Sequence, residues 1–299
     1  MKRKIVKQGA ATMTISLPAP WIKKFSLEVG DELDIIEKGN KLEISAEKIS
    51  EKKTIEIDAT KTAFTKNDLT HLYMIGYDEI IVKFKENLTL KNVKERIPEC
   101  IGFEIFDQTE DRIVIKSISS GLDEEFDTIL RKVFLLLKEM SENTLKALSK
   151  KEFERLKQIR EMEHLNNRFV VFLERTLNKG GYKKYERIMQ MYDMLQNLER
   201  TADEYKFLCD SFADYKSNIK KESLQLLKEV NDYYALFYNM YYKFEPEKKN
   251  LLYIRRKALK KRALESFKKG QEQLLNHHLI GIIERIYNSI GSFLALKEA

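Results

Sequence analysis

The sequence predicts a multi-domain α+β protein with a small β-rich head, a compact α/β module and an all-helical body. Three observations predict it. Residues 1–48 carry short alternating apolar and polar runs broken by Pro and Gly. Residues 53–118 alternate strand-like and helix-like stretches. Residues 119–299 place apolar side chains at three- and four-residue steps almost without interruption. Four Pro and 11 Gly in 299 residues leave little room for long irregular segments, and 34% charged against 43% hydrophobic residues suits a chain that buries real cores.

In the head, Met13, Ile15 and Leu17 alternate with Thr14 and Ser16, the period-2 pattern of a half-buried strand over residues 13–17. Pro18 and Pro20 end it, because proline cannot donate to a ladder. Residues 21–25 read as one helical turn, Val29-Gly30-Asp31 as a tight turn, and residues 33–37 and 41–45 as a hairpin around Lys38-Gly39-Asn40. A head this small rarely folds alone, and no cysteine pair or metal motif staples it, so its size predicts that two copies complete one core.

The middle module reads as βαβαββ. Strands are expected at 54–58, 79–84, 102–108 and 112–117, and helices at 65–75, with Thr65 as its cap, and at 91–97. It contains no glycine-rich phosphate loop and no catalytic motif, so it reads as a packing domain.

Beyond a boundary at Ser119-Ser120-Gly121, breaks near Ser149, at 178–181, at 211–217, at Glu245-Pro246 and at Lys269-Gly270 punctuate six helices. Ile129, Val133, Leu136 and Met140 illustrate their buried stripes. Leu198-Glu199-Arg200-Thr201-Ala202-Asp203 in the third helix and Ile283-Glu284-Arg285-Ile286-Tyr287-Asn288 in the sixth stand 85 residues apart. That offset makes the body two three-helix units, about 119–213 and 217–299.

The net charge of +7 is concentrated. Residues 1–24 hold six basic residues and no acid, and residues 248–269 hold ten basic residues and one acid. Local basic patches point to an anionic partner: nucleic acid, lipid headgroups or phosphate. The competing reading for 248–269 is a solvated helix face. Cys100 and Cys209 lie far apart and match no metal spacing, which fits a reducing compartment. The basic N-terminus lacks the apolar run of a secretory signal. The longest apolar runs, such as 169–173, fall short of the ~18–20 residues of a membrane span. The expectation is a cytoplasmic protein without a transmembrane segment.

Glu199 and Asp203, four residues apart on one helix, project from the same face. Read alone, the pair is a wet surface in which Glu199 meets Arg200 or Lys206. The alternative is a cation held between them, with carboxylates suiting Mg²⁺, Mn²⁺, Fe or Ca²⁺. Asp123 and Asp127 repeat the spacing, but a helix N-terminus already favours acids there. Glu161 and His164 form one E-x-x-H without the second copy that a di-iron bundle uses, so an enzyme built on Glu161, His164, Glu199 and Asp203 is not expected. His277 and His278 are adjacent and cannot face the same way on a helix.

Two resemblances join these readings. Gly9, Thr14-Ile15-Ser16-Leu17-Pro18, Trp21-Ile22 and Leu27-Glu28-Val29-Gly30-Asp31 resemble the AbrB/MazE/SpoVT swapped-hairpin family. That resemblance implies a dimeric β-barrel made of interleaved hairpins, with Arg3, Lys4, Lys7, Lys23 and Lys24, assisted by Thr12, contacting double-stranded DNA. The helical half resembles the PhoU family of phosphate-uptake regulators, whose two three-helix repeats each carry an E(D)-x-x-x-D metal motif. The resemblance implies a divalent or iron-type metal at Glu199 and Asp203, and at Glu284 and Asn288, where Asn replaces the expected Asp and a charge is lost. The combination resembles archaeal phosphate uptake regulators and implies a non-enzymatic, DNA-binding homodimer that senses phosphate status. The alternative is an interaction regulator that docks on a phosphate transporter or sensor kinase at the membrane. An antitoxin role, which the head also permits, sits poorly with so large a folded body.

Overall fold

The computed structural model describes residues 2–9, 11–38, 40–46, 52–118, 125–215, 217–270 and 272–297. The expected boundary at Ser119-Ser120-Gly121 and the first-turn acid Asp123 lie outside them. The chain divides into two compact units, Met1–Lys53 and Thr54–Ala299.

The first unit contains β1 (Val6–Gln8), β2 (Thr12–Thr14), α1 (Ala19–Lys24), β3 (Asp34–Lys38) and β4 (Lys41–Ser45), paired as two separate antiparallel hairpins. The strand expected over 13–17 lies earlier. Its partner β1 starts at Val6, which pairs with Thr14, so the ladder stops there. Prolines 18 and 20 lead into α1, as a residue with fixed φ suits a first helical turn. The Val29–Asp31 turn forms with Gly30 at φ +104, where side chains are disfavoured, and the Glu28 amide donates to the Asp31 carboxylate at 2.8 Å. Among the described residues of this unit none is buried, and Ile5, Val6, Met13, Ile15, Ile35 and Leu42 are all more than half exposed.

The second unit opens with the α/β module: β5 (Thr54–Ala59), α2 (Lys66–Ile75), β6 (Glu79–Phe84), α3 (Asn87–Arg96), β7 (Phe103–Gln108) and β8 (Arg112–Ser117). The sheet order is β5-β6-β8-β7, with β5 and β6 parallel through α2 and the other pairings antiparallel. The cap at Thr65 is a full capping box, closed by the Asp68 carboxylate accepting from the Thr65 amide at 2.6 Å. The second helix begins at Asn87, four residues before its expected start. Alternate residues Ile80, Val82, Ile113 and Ile115 pack with Leu69, Tyr73 and Val93 into one core.

The helices of the body are α4 (Phe126–Lys150), α5 (Arg155–Arg160), α6 (Met162–Asn178), α7 (Ile188–Phe212), α8 (Lys221–Tyr242), α9 (Lys249–Lys268) and α10 (Gln273–Lys297). The breaks fall where the sequence places them, with one addition. The second helix is split at Glu161 into α5, which packs on α4 and α7, and α6, which also faces α2 of the α/β module.

The module and the bundle share a core: Val171 and Phe172 of α6 are buried in the module's cluster. Next to them Arg175, 6% exposed, lies 4.8 Å from the Tyr73 ring centre and 4.9 Å from that of Phe103. It donates to the Tyr73 and Tyr77 carbonyls at 2.8 and 2.7 Å and to the Asp78 carboxylate at 2.8 Å, which Lys179 also reaches. Such a buried guanidinium is tolerated because these bonds, the Asp78 charge and the two ring faces replace the water it has lost.

α10 is long and apolar enough, by length and composition, to cross a membrane, which the search for apolar runs does not anticipate. Its apolar residues Leu279, Ile282, Ile283, Ile286, Ile290 and Phe293 are buried in the bundle core against α7, α8 and α9, which accounts for that composition.

Candidate functional site

The basic residues of the head lie on its surface. Arg3, Lys4, Lys7, Thr12, Lys23 and Lys24 are all exposed. Lys7 and Thr12 stand on the paired strands β1 and β2, and Lys23 and Lys24 close the last turn of α1, where cations complement the helix dipole. No acid occurs within residues 1–24, so these charges are not cancelled from within their own segment. A set of exposed cations on strands and a short helix can meet phosphates and carry a salt-dependent affinity.

In the body, Glu199 and Asp203 of α7 are half-buried and share their place with Glu163 of α6, which is 3% exposed. One carboxylate oxygen from each lies within 4.8 Å of the others. Lys206 covers the group, bonding Asp203 and reaching Glu163 at 3.4 Å. Glu174, 2% exposed, stands near on α6 and accepts from Gln196 at 2.5 Å. One lysine against this many carboxylates is too little. Burial, followed by the charges of Asp203, Glu163 and Glu174, pushes the Glu199 carboxyl up to about 7. Burial alone also raises Glu174, against its bond from Gln196. Three converging carboxylates with an excess of negative charge could hold a divalent cation, whose charge would take over what Lys206 does in part. The carboxylate set fits a hard cation.

The pair is therefore not the wet surface with Glu199 bonded to Lys206, since Lys206 turns to Glu163 and Asp203 instead. Spacing along the sequence misses Glu163 as a member. The signal was there: Glu163 falls on the buried stripe of α6 with Asn166 and Val170, where a charged residue needs a partner.

The second motif meets different surroundings. Glu284 of α10 accepts two bonds from the Arg256 guanidinium, at 3.1 and 2.7 Å, and an ion pair from Lys260 at 3.2 Å. Burial pushes its carboxyl up, but the bonds from Arg256 and Lys260 outweigh this and hold it below its ordinary value. Asn288 is exposed. Among the described residues, Glu284 does not belong to a group of three His, Cys, Asp or Glu side chains placed to hold a metal.

The remaining candidates are placed apart. His164 is exposed, set between Glu161 and Glu163, and does not join the Glu199 group. His277 is exposed, whereas His278 is buried between Glu204, 3.2 Å from Nδ1, and Ser211, 3.3 Å from Nε2. Gly281 makes room for this contact, because a Cβ there would meet the Glu204 carboxylate at 2.5 Å. Cys100 and Cys209 are buried, and burial pushes both thiols up, to about 12 and about 11.

Comparison with known proteins divides along the same lines. No curated protein sequence matches the chain. Over the helical part, the phosphate transport system regulatory protein PhoU from Streptococcus pneumoniae is similar at 17% identity and a TM-score of 0.42, covering 58% of this chain and 90% of that one. In the head, residues 6–54 match the family described as antidote-toxin recognition MazE, bacterial antitoxin. The chain thus carries a MazE/AbrB-type domain at its N-terminus and has a PhoU structural neighbour over its C-terminal part.

Proposed function

We propose that the protein is a non-enzymatic, DNA-binding transcriptional regulator of phosphate uptake that works as a cytoplasmic homodimer. The observation that carries the reading is the coincidence in the head. The segment that matches the MazE-type family overlaps the acid-free stretch whose cations all face solvent. The unburied apolar residues of the head support the dimer. Ile5, Val6, Met13, Ile15, Ile35 and Leu42 need a cover, and a second interleaved copy supplies one. Arg3, Lys4, Lys7, Lys23 and Lys24 then appear twice on one small barrel and engage a roughly two-fold symmetric site, with Thr12 beside them. The phosphate link rests on the PhoU-like motif at Glu199 and Asp203, and the carboxylate group there supplies a place for a metal through which the body reports phosphate status.

The test is binding of the purified protein to duplex DNA from upstream of phosphate-transport genes, against random duplex, across a salt series. Affinity should fall steeply with salt, and the Arg3→Ala/Lys4→Ala/Lys7→Ala variant should flatten the dependence by about one unit of slope for each phosphate it no longer engages. A protein with no salt-sensitive duplex binding at low salt would refute the reading.

A further inference from the structure

α9 has a face that the bundle does not use. Its buried side is narrow: only Leu252, Leu259 and Ala263 are fully enclosed. Arg256 and Lys260 turn to Glu284, and Arg262 turns to Glu229. On the opposite side Ile254, Lys257, Lys261, Leu264 and Lys268 follow at three- and four-residue steps, which places them in one stripe along the helix. All five are exposed, and the two apolar ones remain 63% and 37% open to solvent, with Tyr253 at the stripe's edge 38% open. The one acid on α9, Glu265, reaches only Lys261, at 3.9 Å. Among the described residues Lys257 and Lys268 have no acidic partner.

We propose that this stripe docks the protein on an anionic phospholipid surface, with α9 lying along the interface. Charge complementarity selects the occupant. Three lysines in line, over about 16 Å of helix, match a sheet of headgroup phosphates. Leu264 lies between two of them and Ile254 one turn before the first, and both would enter the acyl boundary while the lysines extend upward to the phosphates. Duplex DNA offers the same phosphates but leaves both aliphatic side chains wet. The stripe shares no residue with the head's basic set, so this surface and DNA binding stand or fall separately.

The experiment is co-sedimentation of the full chain with phosphatidylcholine vesicles made with and without phosphatidylglycerol. Partition should require the anionic lipid and weaken with salt. Reversal by Lys257→Glu/Lys261→Glu/Lys268→Glu should lower it at least about a hundredfold, at roughly tenfold or somewhat less per lysine. Ile254→Ser/Leu264→Ser should lower it at constant charge. The Arg3→Ala/Lys4→Ala/Lys7→Ala variant should leave a vesicle-bound fraction that is still lost on reversal of the stripe. All substituted stripe residues are exposed, so each variant should keep the helical circular dichroism of the parent protein. The proposal is overturned if anionic vesicles fail to recruit the chain, or if the reversal leaves partition unchanged. It is equally overturned if the reversal costs affinity for duplex DNA, or self-association, in place of vesicle binding.

Discussion

On α7 an E-x-x-x-D motif gathers carboxylates around one lysine; on α10 its counterpart is one carboxylate held by an arginine and a lysine. The two glutamates sit 85 residues apart in matching helices, yet Glu199 is pushed up to about 7 and Glu284 is held low. The difference comes from the neighbouring helix. α6 brings Glu163 and Glu174 to the first motif, while α9 brings Arg256 and Lys260 to the second. A motif fixes where a carboxylate projects; the helix packed beside it fixes the field that the carboxylate meets.

The comparison is broken most sharply by metal titration. Glu199→Gln or Asp203→Asn should weaken Mn²⁺ binding about a hundredfold, as read by calorimetry. Glu284→Gln should leave it unchanged. Equal loss from both motifs would mean that the second also holds metal. A smaller effect is expected from Arg256→Ala, which leaves Glu284 with Lys260 alone. It should cost about 1–2 kcal/mol in denaturant unfolding, and the cost should shrink as pH falls from the ordinary carboxylate pKa towards the lowered native value, where the folded protein's Glu284 takes up its proton.

Acidity separates the sites further. The native value of Glu199 lies above its ordinary 4.5, so in the metal-free protein the folded state keeps a proton that the unfolded state has released. Its contribution is therefore favourable below pH 4.5 and is lost as pH rises towards 7. With chelator present, stability should fall across that window by about 1 kcal/mol, and Glu199→Gln should abolish the fall. Glu284 has the opposite sign, since its lowered value stabilises the fold above its ordinary pKa and is lost on acidification. The smallest effect sharpens the argument most. Asn288→Asp restores the missing acid but should create no Mn²⁺ site by calorimetry while Arg256 and Lys260 remain. Asn288→Asp combined with Arg256→Met and Lys260→Met should create a weak one.

Much of the fold was legible because it rests on local signals. The Thr65 cap and the breaks at 178–181 and at Pro246 state their roles within a few residues of chain. The split at Glu161 was not, because nothing in its own residues demands it; it follows from what α5 and α6 pack against. For the site, Glu199 and Asp203 were visible from spacing, whereas Glu163 and the pairing of Glu284 with Arg256 and Lys260 join separate helices. Sequence periodicity fixes a face without saying which face it will meet. The composition of α10 misleads in the opposite direction, since a bundle's central helix and a membrane helix are written in the same residues.

The packing of Arg175 against Asp78, Tyr73 and Phe103 has a consequence for how the chain comes apart. The module and the bundle cannot be separated without stranding a buried guanidinium and uncovering Val171 and Phe172, and breaking such a pair costs about 3–5 kcal/mol. Residues 54–299 should therefore melt in one calorimetric transition. The module behaves less as a bead on a string than as an extra wall of the helical body, so any strain set up at the carboxylates of α6 and α7 would be shared by a single folding unit.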